Sequence, residues 1–150
     1  IEAMHNDDIA KKAAFVFFDQ EELGLFGSAF FSKEHKVLMK DKLLINSNCV
    51  SDGDHMMFIY SKPADNHRIK LEASFPNTEE KEAVHTDAAK TLYPSDQKNF
   101  KCSVGVAAFN KNKLFGYYID KIHTPKDTVF DERNIEFLID GLSRFAQSNE

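Results

Sequence analysis

Glu21 and Glu22 stand side by side in FVFFDQEELGLFGSAFF (15–31), directly after an apolar run and ahead of two glycines, Gly24 and Gly27. Adjacent carboxylates in a loop can point apart, so that one binds a metal ion while its neighbour takes a proton from bound water. Metal-assisted hydrolysis needs that division of labour. A solvated acidic pair at a helix start explains the same two residues. Other polar groups also end or follow apolar runs: Asn46 and Asn48 in KLLINSNCV (42–50), and His123 in KIHTPKDT (121–128). In layered α/β folds, ligands collect at the carboxyl ends of strands. The shared position joins these residues into one candidate site. Pro125 stiffens the loop that carries His123, and Asp127 is placed to orient the ring or to cap the next turn.

The remaining histidines fit this chemistry less well. His35 lies at a Lys-rich helix end, His55 at a strand start, His67 in a loop, and His85 on the outer side of an acidic helix. His5 with Asp7 and Asp8 has the residue types of a metal site but lies close to Glu21 in sequence.

These groups need a scaffold, and the hydrophobic pattern supplies one. AAFVFF (13–18) is a continuous apolar run, as in a strand covered on both faces. A helix follows from Gly24 or Leu25 to about Lys36. KLLINSNCV and HMMFIYSK (55–62) read as two strands around the turn SDGD (51–54), pairing as a hairpin. Residues 63–68 read as a loop. In NTEEKEAVHTDAAKTL (77–92), Asn77 or Thr78 can cap a helix whose first turn holds Glu79, Glu80 and Glu82, with Pro94 as its stop. CSVGVAAFN (102–110) reads as a strand, and LFGYYIDKI (114–122), rich in aromatics and β-formers, as a strand or a loop. The last helix begins at Asp131 or Asn134 and repeats Ile135, Leu138, Ile139, Leu142, Phe145 and Ala146 on one face. The expectation is an α/β fold with a mixed β-sheet covered by helices, residues 1–150 forming a single domain.

Composition limits the partners. Lys and Arg number 19 against 24 acidic residues, a net charge of −5, and no basic block is interleaved with aromatics to neutralise phosphates, which argues against nucleic acid. No segment reaches the roughly 18 apolar residues of a membrane span. Cys49 and Cys102, in separate apolar runs, read as two buried thiols. The start at Ile1, without Met or a signal-peptide pattern, suggests a fragment or a processed product. A cytoplasmic location follows only if the natural N-terminus lies near Ile1.

Four segments in the same order carry a family resemblance. AAFVFFDQEELGLFGSAFF (13–31) resembles the strand, double-glutamate and glycine-serine signature of zinc-dependent aminopeptidases with the bacterial leucyl aminopeptidase type of fold, a group that includes glutaminyl cyclases and carboxypeptidase-like relatives. KLLINSNCV is similar to the strand that ends in an Asn-x-Asp zinc motif. PSDQKNF (94–100) is similar to a segment usually reading Ser-Asp-His followed by an aromatic residue. IHTPKDTVFDERNIEFL (122–138) is similar to the His-Thr-Pro, Asp-Thr segment that leads into the last helix.

The resemblance implies a zinc-exopeptidase-like (phosphorylase/hydrolase-like) fold, of which this chain is the C-terminal portion. It further implies zinc as cofactor and a peptide or small N-terminal substrate. Glu21 takes the place of the general base, and Glu22 and His123 the places of zinc ligands. Asn48 stands where the family has a ligand Asp, and a neutral amide oxygen holds zinc less tightly than a carboxylate. Gln97 replaces the usual His. Asp96, Gln97 and Asp127 are expected to support the ligands or touch the substrate. The family's paired-zinc site also uses a His and a bridging Asp from before the double glutamate, and these 150 residues offer neither at a plausible distance. The alternative is therefore a catalytically inactive relative with a binding or structural role, with a cyclising acyltransferase as a third reading.

Overall fold

The computed structural model of the chain describes residues 12–148, so His5, Asp7 and Asp8 fall outside it. The described residues form one sheet in the order β1 (Leu44–Ser47), β4 (Ser103–Asn112), β2 (His55–Tyr60), β3 (Glu82–Asp87), with β5 (Gly116–Tyr118) on the far end of β4. β1 is parallel to β4, β4 antiparallel to β2, and β2 parallel to β3. The sheet is mixed and flanked by helices, as the sequence pattern implies.

β4 takes the centre for a physical reason. Ser103 through Phe109 are all buried, with no alternation between a wet and a dry face. Such a run needs cover on both faces and neighbours at both edges. β4 therefore inserts between the two segments expected to pair as a hairpin, setting Ile45 opposite Val104 on one side and Met57 opposite Ala107 on the other. Gly53 makes this possible in the intervening turn. It has φ 137° and lies so close to the Phe109 backbone that a Cβ would meet it at 2.7 Å.

Three helices among the described residues flank the sheet: α1 (Phe26–Glu34), α2 (Arg68–Ser74) and α3 (Glu132–Gln147), with 3-10 turns at Lys62–His67 and Asp96–Asn99. One face of the sheet packs Met56, Phe58, Tyr60, Val104 and Val106 against Leu71, Phe75, Phe137, Leu138 and Phe145 from the α2 and α3 side. On the other face Met57, Ile59, Ala107 and Phe109 are covered by Tyr93, Tyr117, Ile119 and Cys49. Asp131 caps α3 by accepting the Arg133 N–H at 3.1 Å. The buried stripe of α3 includes Asn134, Phe137, Leu138, Gly141 and Phe145, about one position round from the expected face; Ile135, Ile139 and Leu142 are half-buried. Gly141 lets α3 approach α2, since a methyl group there would overlap the Phe75 ring.

Further expectations are corrected. AAFVFF forms no strand: Phe15, Val16 and Phe17 are exposed, and no described strand lies beside them. An apolar run becomes a strand only when another backbone takes up its hydrogen bonds. Residues 77–92 hold β3, not a helix. Thr78 Oγ1 and Asn77 Oδ1 do accept backbone N–H groups, from Glu80, Lys81 and Ala83, but they close a turn that feeds the parallel pairing with β2. His85 accordingly sits half-buried on a strand rather than on an outer helix face. LFGYYIDKI is part strand and part loop: Gly116–Tyr118 form β5, and turns flank them. Both thiols are free and half-buried rather than fully buried. The segment read as a loop (63–68) is mostly 3-10 helix and runs into α2.

Two polar clusters secure the edges of the sheet. Lys81 is 4% exposed; its Nζ donates to Asp131 Oδ2 at 2.8 Å and to Gly53 O at 3.3 Å. Asn134 Nδ2 donates to the same Gly53 carbonyl at 3.1 Å, and the Asp131 N–H donates to Ser51 O at 2.8 Å. Hydrogen bonds from Arg133 and Lys81 hold the Asp131 carboxyl well below the usual carboxylate range. At the β3 edge the His85 ring stacks on Phe58 with centroids 4.8 Å apart, and its Nδ1 meets the Tyr60 hydroxyl at 2.8 Å. Burial, aided by the Arg68 guanidinium, brings this imidazole down from 6.5 to about 4.

Two stability measurements follow from these clusters. Asp131→Ala strands a buried ammonium, so urea denaturation should show a loss of about 3 kcal/mol or more, the range for breaking a buried ion pair. Lys81→Met should cost less, because Arg133 still holds Asp131. The two clusters also separate by pH. His85 is depressed when folded, so the unfolded chain binds its proton first, and stability should fall as pH drops from 6.5 to about 4. His85→Phe should flatten that slope. The Asp131 contribution, present above the unfolded carboxylate value of about 4, should be lost only at lower pH still.

Candidate active site

The site is assembled from the ends of three segments. The first is the turn before α1. The Glu21 carbonyl accepts the N–H groups of Gly24 and Leu25 at 3.1 and 2.9 Å, which folds the double glutamate into a tight loop. Gly27 crosses the backbone of Asp19 so closely that a Cβ has no room, which locks the loop against α1. The second segment is the end of β1, Asn48–Cys49. The third is the loop 121–128, where Thr124 Oγ1 donates to Lys121 O at 2.7 Å and accepts the Lys126 N–H at 3.2 Å.

These segments bring Glu22 and His123 together. Glu22 Oε1 lies 2.9 Å from His123 Nε2, although 101 positions separate them in the chain. Both side chains are mostly exposed, at 71% and 67%, so the contact adds little stability. Its information lies in the backbone that presents it. Five non-glycine described residues have positive φ: Gln20 (54°), Leu25 (60°), Cys49 (53°), Lys121 (60°) and His123 (60°). All five flank or carry the candidate residues. Each left-handed non-glycine residue costs on the order of 1–3 kcal/mol, and such strain concentrates at functional sites.

Negative charge converges on the same place. Burial first, then the charges of Glu21, Asp127 and Glu22, push the Cys49 thiol up, against a hydrogen bond with Tyr93. Burial, with Cys49 and Glu21 nearby, likewise raises the Tyr93 phenol. Cys49 and Tyr93 thus lie within reach of the carboxylates, and no pattern of spacing in the sequence marked either as part of the site.

Asn48 is engaged at every polar atom. Its N–H donates to Val106 O at 3.0 Å and its carbonyl accepts from the Tyr93 hydroxyl at 3.3 Å. Its Nδ2 donates to Ser95 Oγ at 3.0 Å, and its Oδ1 accepts from the Cys49 thiol at 3.4 Å. Gln97 is buried, with Oε1 accepting from Asn46 Nδ2 at 2.8 Å and Nε2 donating to Tyr93 O at 2.9 Å. Asp96 is 6% exposed, and its Oδ1 has no hydrogen-bond partner among the described residues. Asp127 contributes charge near Cys49, but its carboxylate forms no hydrogen bond to the His123 ring among the described residues.

As donors for the zinc that the resemblance implies, Glu22 and His123 fit. Their oxygen and nitrogen are separated by 2.9 Å, not far from the ~3.3 Å edge that two ~2 Å bonds at a tetrahedral angle span. Asn48 does not fit equally: its amide oxygen is neutral and already accepts the Cys49 thiol. Among the described residues, no three His, Cys, Asp or Glu side chains are grouped to hold a metal ion. No described helix is long and apolar enough to cross a membrane.

Comparison with known proteins identifies the family. Residues 2–137 match the sequence profile of Peptidase family M28, a span that includes Glu21, Glu22, Asn48, Asp96, Gln97, His123 and Asp127. No curated protein and no solved structure gives a significant match. With most of its length matched, and with the double-glutamate loop and the His-Thr-Pro loop meeting at one strand end, the chain belongs to Peptidase family M28.

Proposed function

We propose that this chain carries the water-activating part of a peptidase site that removes N-terminal residues, with Glu21 as general base and Glu22 and His123 as the residues that would hold zinc. The observation that carries this reading is the Glu22–His123 approach at 2.9 Å on a strained backbone. Peptidases of this family typically depend on zinc, which when bound polarises the scissile carbonyl and acidifies a water molecule. The chain's own contribution is positioning and proton transfer. Glu21 neighbours Glu22 and is half-buried, and the turn around it is closed by main-chain carbonyls, its own among them, so the turn makes no demand on the carboxylate. As base, Glu21 takes a proton from the attacking water and returns it to the departing amine nitrogen as the C–N bond breaks. His123 must offer a neutral nitrogen lone pair to a metal, so uptake displaces any proton shared with Glu22. The net charge of −5 suits a substrate with a protonated amino terminus.

A second reading, a domain that binds without hydrolysing, is favoured by Asn48, whose polar atoms are all engaged within the protein.

Elemental analysis and aminoacyl p-nitroanilide hydrolysis separate the two readings. The first expects bound zinc, sharply reduced by Glu22→Ala or His123→Ala, and chelator-sensitive release of a free amino acid. Glu21→Gln should retain the zinc while kcat falls by about 10²–10⁴-fold. Asn48→Asp, which restores a charged oxygen, should tighten zinc binding. Purified protein with neither zinc nor turnover would overturn the first reading in favour of the second.

A further inference from the structure

The hydrogen bonds behind the site close on themselves. Gln97 Nε2 donates to Tyr93 O at 2.9 Å, and Gln97 Oε1 accepts from Asn46 Nδ2 at 2.8 Å. Asn46 Nδ2 also donates to Ser95 Oγ at 3.1 Å, which in turn accepts from Asn48 Nδ2 at 3.0 Å. The Tyr93 hydroxyl returns to the Asn48 carbonyl at 3.3 Å. The ring runs through two buried members, Ser95 at 1% and Gln97 at 7% exposure.

Its polarity is set at one point. The Tyr93 carbonyl can only accept, so the amide nitrogen of Gln97 must face it, and the Gln97 oxygen must then face Asn46. β4 is shaped to allow this. Gly105, the register partner of Asn46, has no side chain, and a Cβ there would meet Gln97 Nε2 at 2.8 Å. The amide of Gln97 therefore lies against the bare backbone of β4.

We infer that Gln97 is a positioning residue for the candidate site, acting through Asn46, Ser95 and Tyr93 to hold Asn48 with its side-chain oxygen turned to the Cys49 thiol. Asn48 is gripped from both ends, at its carbonyl and at its amide. The grip also sustains the left-handed turn at Cys49, whose carbonyl accepts the Ala108 N–H at 3.0 Å. The importance of this position to hydrolysis rests on the peptidase reading, whereas the positioning itself does not.

Cys49 reports on the ring and Cys102 is a built-in control, because its thiol contacts Pro63 O and takes no part in the network. Iodoacetamide labelling of each thiol, read by peptide mass spectrometry at one pH, measures both. Gln97→Leu should speed Cys49 labelling about tenfold, with Cys102 unchanged within about twofold. Ser95→Ala, which cuts the ring elsewhere, should act in the same direction and serves if the leucine variant does not fold. Unchanged Cys49 labelling in a folded variant would overturn the inference. So would equal acceleration at both cysteines, which would signify general loosening rather than a positioned strand end. Zinc content and turnover are separate readouts, so a failure of the peptidase reading leaves this result interpretable.

Discussion

A buried ammonium holds the architecture together at its least obvious point. Lys81 donates to Asp131 and to Gly53, and so joins the turn after β1, the entry to β3 and the first turn of α3. Each of those segments has backbone groups that the sheet cannot satisfy. Gly53 offers a carbonyl to two donors, and the Asp131 N–H closes onto Ser51. Because the ammonium is almost fully buried, it tolerates little change in geometry. The path of the chain through the turn at Gly53 fixes where β2 begins, and β2 fixes β3 by parallel pairing. The start of α3, set by the same cluster, brings its apolar stripe onto the sheet.

The candidate site is built differently. The core rests on burial, whereas the site rests on strain maintained by its surroundings. Left-handed residues at Gln20, Leu25, Cys49, Lys121 and His123 would relax if the chain were free. They are held by short-range hydrogen bonds in the turns and by the closed ring behind β1. The exposed Glu22–His123 pair stabilises little by itself, so its geometry is a consequence of these supports rather than a cause of the fold.

Much of the site was legible in the residues. Glu21, Glu22 and His123 were marked by chemical type and by their place after apolar runs, and the structure does bring Glu22 to His123. Asn48 does follow β1 directly, but its full engagement depends on Tyr93 and Ser95, more than 40 positions away. Strand β4 and helix α3 were legible because a continuous apolar run and a 3.6-residue period are local properties. Residues 77–92 depart from their local pattern for the same reason. Asn77 and Thr78 accept backbone N–H groups as a cap does, yet the geometry they serve is set by β2, which no local pattern reveals.

The sequence by itself determined the α/β class, the family and the chemical identity of the candidate residues, because these depend on residue type, order and period. Only the tertiary structure decided the sheet order, the insertion of β4 between β1 and β2, the conversion of an acidic capped segment into β3, and the approach of Glu22 to His123. Each of these is a pairing between distant parts of the chain. The free energy of such a pairing comes from surfaces and hydrogen bonds that neither partner's own sequence contains.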